Sequence, residues 1–557
     1  MSSTVGAASI AAALGQGTAV TVALAASVAL NSISGNVSAT VKDAQVTTRN
    51  GDITIAATRT GTISTTAAAA SVAVGVSGDK GIGVSGAGAA AVNKINSSTT
   101  AIGQNAALNA AGAVTVSAGS TATIKADIIS AAASVGAGSG SSGAGALGIA
   151  IAYNEIGAWT AYDEAGNTLS QTPTLGNRAN VSATLSNTPV SATGALAVTA
   201  TSRNTITANI VAIAAGAALS GSNAGAVSVG GTFAMNNIGL ATGALIDGDG
   251  TGTGPGIAAA SATVSASDAS TITAKALSAS LALAAGASNA VSVAVGGSVG
   301  LNSIANDVSA TVKNVDRGLQ TTGAILVSAK SAGAITAHAA SAALSIAGGG
   351  SNAVAVSAAV TYARNVITTG TRASVVDSAF VTTGGSGTID VKAESSAAIE
   401  AKILAAALAV GVGGSNGVGV GIGAAIAENY IGSWDKTVEK DAAGKEKTET
   451  TAYTLKGAGG TAVAALVSNT GVSASKALSV TATSAQTITA QVVAASAAIG
   501  GGGTAGVGAS AAGAVVSNAI AVATSATISG SGTTGINAGG VVVNAADTST
   551  IDALAGS

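Results

Sequence analysis

The chain reads as all-β and repetitive. Three observations carry that reading: side-chain character alternates with a period of two, two short residue frames recur at eight places each, and almost no residue is large enough to fill a thick core. The alternation is plain in "VSVAVGGSVGL". Val291, Val293, Val295, Val299 and Leu301 fall on one face, and Ser292, Ala294, Gly296, Ser298 and Gly300 on the other. Leu408, Val410 and Val412 alternate with Ala409 and Gly411, and Val418, Val420 and Ile422 resume the pattern after the turn "GGSN". A period of two means strand, and the 77 glycines and the Val/Thr alternation oppose the helix that abundant Ala would suggest. A strand face carrying almost nothing suits the close approach of a second backbone or sheet.

The first frame, V-x-A-x5-I, begins at Ile55, Val116, Val198, Val264, Val327, Val391, Val480 and Val543, and each time the frame closes on an Ile, from Ile63 to Ile551. The second, N-x-I, begins at Asn31, Asn93, Asn154, Asn236, Asn302, Asn365, Asn429 and Asn518. In a stacked repeat such an Asn is expected to bond backbone at a turn or to form a polar ladder. The spacing from a first-frame residue to the next Asn never varies: Ile55 to Asn93, Val198 to Asn236 and Val480 to Asn518 are equal, so that segment tolerates no insertion. The spacing from Asn to the next first frame does vary. It is short in most units, as from Asn93 to Val116, but much longer from Asn154 to Val198 and from Asn429 to Val480.

The two long cases carry the only tryptophans. "AYNEIGAW" ends at Trp159 and "AENYIGSW" at Trp434, and arms at about 160–178 and 435–459 are expected to leave the scaffold there. The first four units match the last four, since "NSISGNVSATVK" at Asn31 returns as "NSIANDVSATVK" at Asn302. Residues 1–557 are therefore read as one continuous array of eight units of about 62 residues, with a four-unit module duplicated over about 1–272 and 273–557. A unit of roughly 61 to 66 residues divides into three turns of about 20, an ordinary coil of an elongated parallel β-solenoid. About 24 such coils would make a rod on the order of 115 Å long. The alternative is a stack of long antiparallel β-hairpins turning at "GGSN" and "SGDK".

Composition excludes several classes of function. With 22 basic and 24 acidic residues there is no basic patch for nucleic acid, and without cysteine there is neither a disulfide scaffold nor a thiolate metal site. "AVTVALAASVAL" from Ala19 resembles a signal-peptide core, but it aligns with "AVSVAVGGSVGL" from Ala290 and is read as repeat. No apolar run suits a spanning helix, and nine aromatics cannot furnish the girdles of a membrane barrel. His338, the only histidine, has no triad to join. "GIGVSG" (Gly81, Gly83, Gly86) fits a dinucleotide fingerprint only as chance allows in so glycine-rich a chain. Asp247 and Asp249 begin like a calcium loop, but Ala258 stands where a later acidic ligand belongs. No cofactor is expected. The arms are the best binding candidates, through Tyr153, Trp159, Tyr162, Tyr430, Trp434 and Tyr453, with a run of charge beside the second tryptophan. The competing expectation is that the tryptophans only cover the scaffold where the arms depart.

The V-x-A-x5-I frame, the Gly/Ala/Val alternation and the N-x-I close together resemble the repeats of giant bacterial filamentous adhesins, the leukotoxin-like and filamentous-hemagglutinin-like exoproteins, over the whole chain. That resemblance implies a non-enzymatic, β-rich stalk at the bacterial cell surface, extracellular, stacked on neighbouring repeats of a longer parent and presenting arms to a host or surface ligand. The start and stop in repeat phase lead to the expectation of a piece of a longer protein whose two ends could associate end to end. A self-assembling extracellular fibre or matrix protein is the alternative. An ice-binding solenoid is a lesser one, because Thr-x-Thr pairs such as Thr121 and Thr123 look scattered in the sequence.

Overall fold

A computed structural model describes residues 1–157, 179–248, 256–378, 381–383, 387–432, 434–440, 446–455 and 462–557, and every regular element in it is a strand. The chain is a parallel β-solenoid. In the three large sheets, strands pair in parallel with their counterparts one unit later, as Leu196–Ser220 does residue for residue with Ala262–Gly286. That hydrogen bonding rules out the antiparallel-hairpin alternative, although its turns are real: at 78–79 or 221–222 the chain reverses and runs back in a different sheet.

The expected division of each unit into three turns is wrong. One whole unit makes one rung. The fourth rung runs along Leu196–Ser220 in a long sheet, turns, returns along Asn223–Ile238 in a second sheet, crosses Leu240–Asp247 in a third, and regains the long sheet through Ile257–Ala259. Eight return strands at about 4.8 Å spacing give a stack about 38 Å high rather than a rod of about 115 Å. The ordinary coil length fails because the long strands run to 25 residues, which consumes each unit in one wide turn.

Two unlike cores follow. Where the three sheets enclose a head, the recurring Ile and Val residues of the frames stack in columns: Ile63, Ile124, Ile206, Ile272, Ile335, Ile399 and Ile488 lie on successive strands and are buried. Beyond the head, the long and return sheets close on each other as a blade whose interior is almost entirely Ala, Gly and Ser, such as Ala212, Ala214, Ala226 and Ser228. A Cβ added to Gly75 would lie 2.3 Å from the Ile82 carbonyl oxygen, and one on Gly421 would lie 2.6 Å from that of Ala497. The sheets are therefore much closer than the usual separation of about 10 Å. The branched aliphatics of the alternating segments point outward, as Ile213, Leu219, Leu281 and Ile422 do.

This geometry explains the invariant spacing between the two frames. An extra residue between Val198 and Asn236 would throw one strand of the blade out of register with both neighbours and turn its aliphatic face inward. At the opposite corner the chain bends through left-handed residues, Asp43, Asn105, Asn187, Asn314, Asp377 and Asn469, with φ between 45° and 56°. Asn and Asp tolerate that conformation, and their side chains bond one another up the stack, as Asn187 Nδ2 does to Asn105 Oδ1 at 3.1 Å.

Among the described residues, one carboxyl group lies inside the head. Asp268 accepts hydrogen bonds from Ser202 Oγ, from Ser270 Oγ at 2.9 Å and from Asn306 Nδ2 at 2.7 Å. Burial nevertheless holds its carboxyl above the ordinary range, outweighing those three donors, which act in the other direction.

Two measurements check this account. Gly421→Val should lower stability by about 1–3 kcal/mol in chemical denaturation, because the new side chain meets backbone. Its neighbour Ile422, pointing outward, should accept Ser at a cost below about 1 kcal/mol. For Asp268, the raised folded-state value means that its contribution to stability is present in full below the ordinary carboxylate range and is lost as pH rises through that raised value. Asp268→Asn should abolish this component, so the melting temperature of the variant should gain on the parent as pH increases; a constant difference would contradict it.

Candidate functional site

The eight frame asparagines form one continuous ladder on the inner face of the return sheet, buried from Asn31 to Asn429 and half-buried at Asn518. Each Nδ2 donates to the Oδ1 of the Asn one rung on, in seven bonds of 2.8 to 2.9 Å from Asn31 through Asn93, Asn154, Asn236, Asn302, Asn365 and Asn429 to Asn518. The strand spacing of about 4.8 Å sets the amides at hydrogen-bonding distance, so each rung can have a donor and an acceptor used inside a core that supplies no water.

Both arms depart beside this ladder. The residue after N-x-I is Gly157 in one unit and Gly432 in the other, with φ of +70° and +113°. A Cβ on Gly157 would lie 2.6 Å from the Gly239 carbonyl oxygen, and one on Gly432 would lie 1.9 Å from that of Ala521. The positive φ and close approach require glycine at both exits. The first arm is pinched shut at its base, because Ala179 N donates to Gly157 O at 2.8 Å. Within the second, Trp434–Lys440 and Glu446–Leu455 pair antiparallel with each other in a sheet of their own, placing Trp434 opposite Leu455 and Lys436 opposite Tyr453. Trp159 and Tyr162 lie outside the described residues, as does Asp249.

On the outer face at the first root, Tyr153 Oη donates to Glu155 Oε2 at 2.6 Å, while Lys94 Nζ lies 3.9 Å from Glu155 Oε2 and 5.2 Å from the Tyr153 ring centre. At the second, Tyr362 Oη donates to Glu428 Oε2 at 3.0 Å, Arg364 Nε approaches the same carboxylate at 3.7 Å, and Tyr430 Oη bonds Ser517 Oγ at 3.2 Å. The two roots thus share a tyrosine, a glutamate and a base on an adjacent rung, but Glu155 takes its tyrosine from its own rung, whereas Glu428 takes Tyr362 from the adjacent rung and Tyr430 turns to Ser517. The tyrosine and glutamate exchange places across the ladder Asn, Tyr-Asn-Glu at 153–155 and Glu-Asn-Tyr at 428–430. Sequence reasoning found the tyrosines but missed Lys94, Glu155, Tyr362, Arg364 and Glu428. The signal for the glutamates was present in the two quoted octapeptides; the bases become visible only when the register between rungs is known.

The remaining candidates have structural settings. Asp247 lies 3.0 Å from Lys313 Nζ and accepts from Asn314 Nδ2 at 2.9 Å, and no group of three or more potential metal ligands occurs among the described residues. His338 sits on the outer face of the long sheet between Lys275 and Lys402, and burial together with Lys402 lowers its pKa. Gly81 and Gly83 are blade-interior residues whose Cβ would meet the Ala137 and Val135 carbonyls at 2.0 and 2.4 Å, which gives a packing reason for that fingerprint. No helix among the described residues is long and apolar enough to cross a membrane. No protein-family profile, curated protein or solved structure matches the chain.

Asn236→Ala should leave the Asn154 amide and the Asn302 carbonyl without partners, at a cost of about 2–4 kcal/mol in denaturant unfolding. A loss below about 0.5 kcal/mol would mean that the ladder is not a source of stability.

Proposed function

We propose that this chain is a non-enzymatic structural segment of a bacterial surface-exposed filamentous adhesin, and that it holds two aromatic-containing arms at a fixed separation for attachment to a surface ligand. The observation that carries this reading is the equivalence of the arm roots. Both leave the C-terminal end of a return strand through a left-handed glycine, and Asn154 and Asn429 stand four rungs apart on one ladder. Four rungs are about 19 Å along the stack. Side chains that bind through loops gain from such a frame, because the rigid element bears the ordering cost in advance. The self-assembling fibre is the second reading, favoured by the apolar outer faces of the blade. Ice binding has weaker support: Thr62, Thr123, Thr205 and Thr271 do line up on the long sheet, but the column continues through Ala334 and Ala398.

Removal of residues 435–459 separates display from scaffold. The two strands of the hairpin pair only with each other, so the deletion should change the melting temperature by less than about 2 °C while reducing attachment of protein-coated beads to the surface that the parent binds. Undiminished attachment would move the binding site off this arm, and cooperative unfolding would make the arm part of the core.

A further inference from the structure

The outer face of the blade in the long sheet is a broad apolar surface with a pattern of its own. Along the strands it has five outward positions per rung. In the fourth rung these are Val211, Ile213, Ala215, Ala217 and Leu219; two rungs later they are Ala340, Ala342, Leu344, Ile346 and Gly348. At every position one rung is large where the other is small. Taken over rungs of about 4.8 Å and nine residues of about 3.3 Å, the face measures roughly 40 by 30 Å, or about 1,200 Å². That exceeds the apolar patch of an ordinary monomer and the roughly 800 Å² that each partner contributes to a standard interface.

We propose that this face docks against the same face of a second copy, about a two-fold axis running along the central strand Ala262–Gly286. Such an axis preserves position along the strand and reverses the order of rungs. It places Val211 opposite Ala340, Ile213 opposite Ala342 and Ala215 opposite Leu344 of the other copy. Ala217 then meets Ile346, and Leu219 meets Gly348. Aligned sheets pack with a twist of about 30°, so registration is tightest near the axis, where the two flanking rungs are complementary at all five positions and the central strand sets Leu277, Leu281 and Leu283 each against its own copy. One rung farther out complementarity holds at two of the five positions, Ala133 opposite Leu408 and Ala137 opposite Val412, while Ile129 meets Leu404, Val135 meets Val410 and Ala131 meets Ala406.

The charged margin of the face obeys the same operation. On the head side the outward residues of the third rung are Lys125 and Asp127, and those of the seventh are Glu400 and Lys402. The axis sets Lys125 against Glu400 and Asp127 against Lys402, opposite in sign both times. It also brings His338, whose Nε2 has no hydrogen-bond partner among the described residues, against Asn209. Lys275, on the axis, meets its own copy at the solvated edge and is the one like-charge juxtaposition. A lipid surface would account for the apolar band but gains nothing from this pairing of sizes and signs, which is the signature of an isologous interface.

Sedimentation equilibrium of the full chain over a concentration series provides the test. A monomer–dimer equilibrium is expected. Leu344→Asp should reduce the protein to monomer, whereas Val291→Asp, on the outer face of the return sheet, should leave the dimer intact. Lys125→Glu should raise the dissociation constant about tenfold, since it makes two symmetry-related repulsions, and Lys125→Glu combined with Glu400→Lys should restore it. Circular dichroism of each variant verifies the fold. A monomer at all concentrations, or a dimer that survives Leu344→Asp, would overturn the proposal. Failure of the charge swap to rescue would overturn the axis, and flotation of monomer with phosphatidylcholine vesicles would assign the face to lipid instead. None of these outcomes depends on the arms, so they stand apart from the adhesin reading.

Discussion

Everything in this molecule depends on two sheets lying closer together than side chains normally permit. In most β proteins the aliphatic residues of facing sheets interdigitate and set a gap of about 10 Å. Here carbonyl oxygens such as those of Ile82 and Ala497 occupy the space where a Cβ would project from the facing glycine. The interior is therefore almost entirely Ala, Gly and Ser, with only a few larger residues such as Ile210 and Thr361. Burial of so little apolar area per residue cannot by itself offset the entropy of ordering the chain. Hydrogen bonding has to contribute accordingly, and the fold supplies it in columns: backbone to backbone between rungs, amide to amide along the asparagines, and corner to corner through Asp43, Asn105 and their successors.

Columns of this kind require identical rungs, and that requirement explains which parts of the fold are legible in the sequence. Period two identifies strands because the blade is two-faced throughout. The frames at Val198 and Asn236 mark the rungs because each is a column of the core. The length of the coil is not legible, because nothing in an alternating run tells whether 25 residues form one strand or several; only the facing sheet decides that. The corner residues carry a clear signal that the apolar pattern masks. Asp43, Asn105, Asn314 and Asp377 each stand at the same offset from a frame Asn, and Gly530, with φ of +71°, occupies that offset in another unit. A short polar residue or glycine at a fixed offset is the mark of a left-handed turn.

The arm roots show the same division. Trp159 and Trp434 announce an insertion because they break the composition, and the chain geometry at Gly157 and Gly432 agrees with that. Lys94 and Arg364 cannot be found by the same means, since they lie in units without arms and reach the tyrosine–glutamate pairs only through stacking. Residues on adjacent rungs are neighbours in space yet a whole unit apart in the chain, so local motifs miss them while register recovers them.

The direction of the hydrogen bonds has a mechanical meaning. Because consecutive rungs are joined by bonds parallel to the stacking axis, a pull applied along that axis loads one rung interface at a time, as in opening a zipper, and does not shear many bonds together. Each rung that yields releases a chain of about 60 residues, or about 200 Å when extended. A stack about 38 Å tall can thus lengthen in discrete steps, each of them about five times its own height. Under tension such a body acts as a damper, absorbing work while the rungs still wound remain intact.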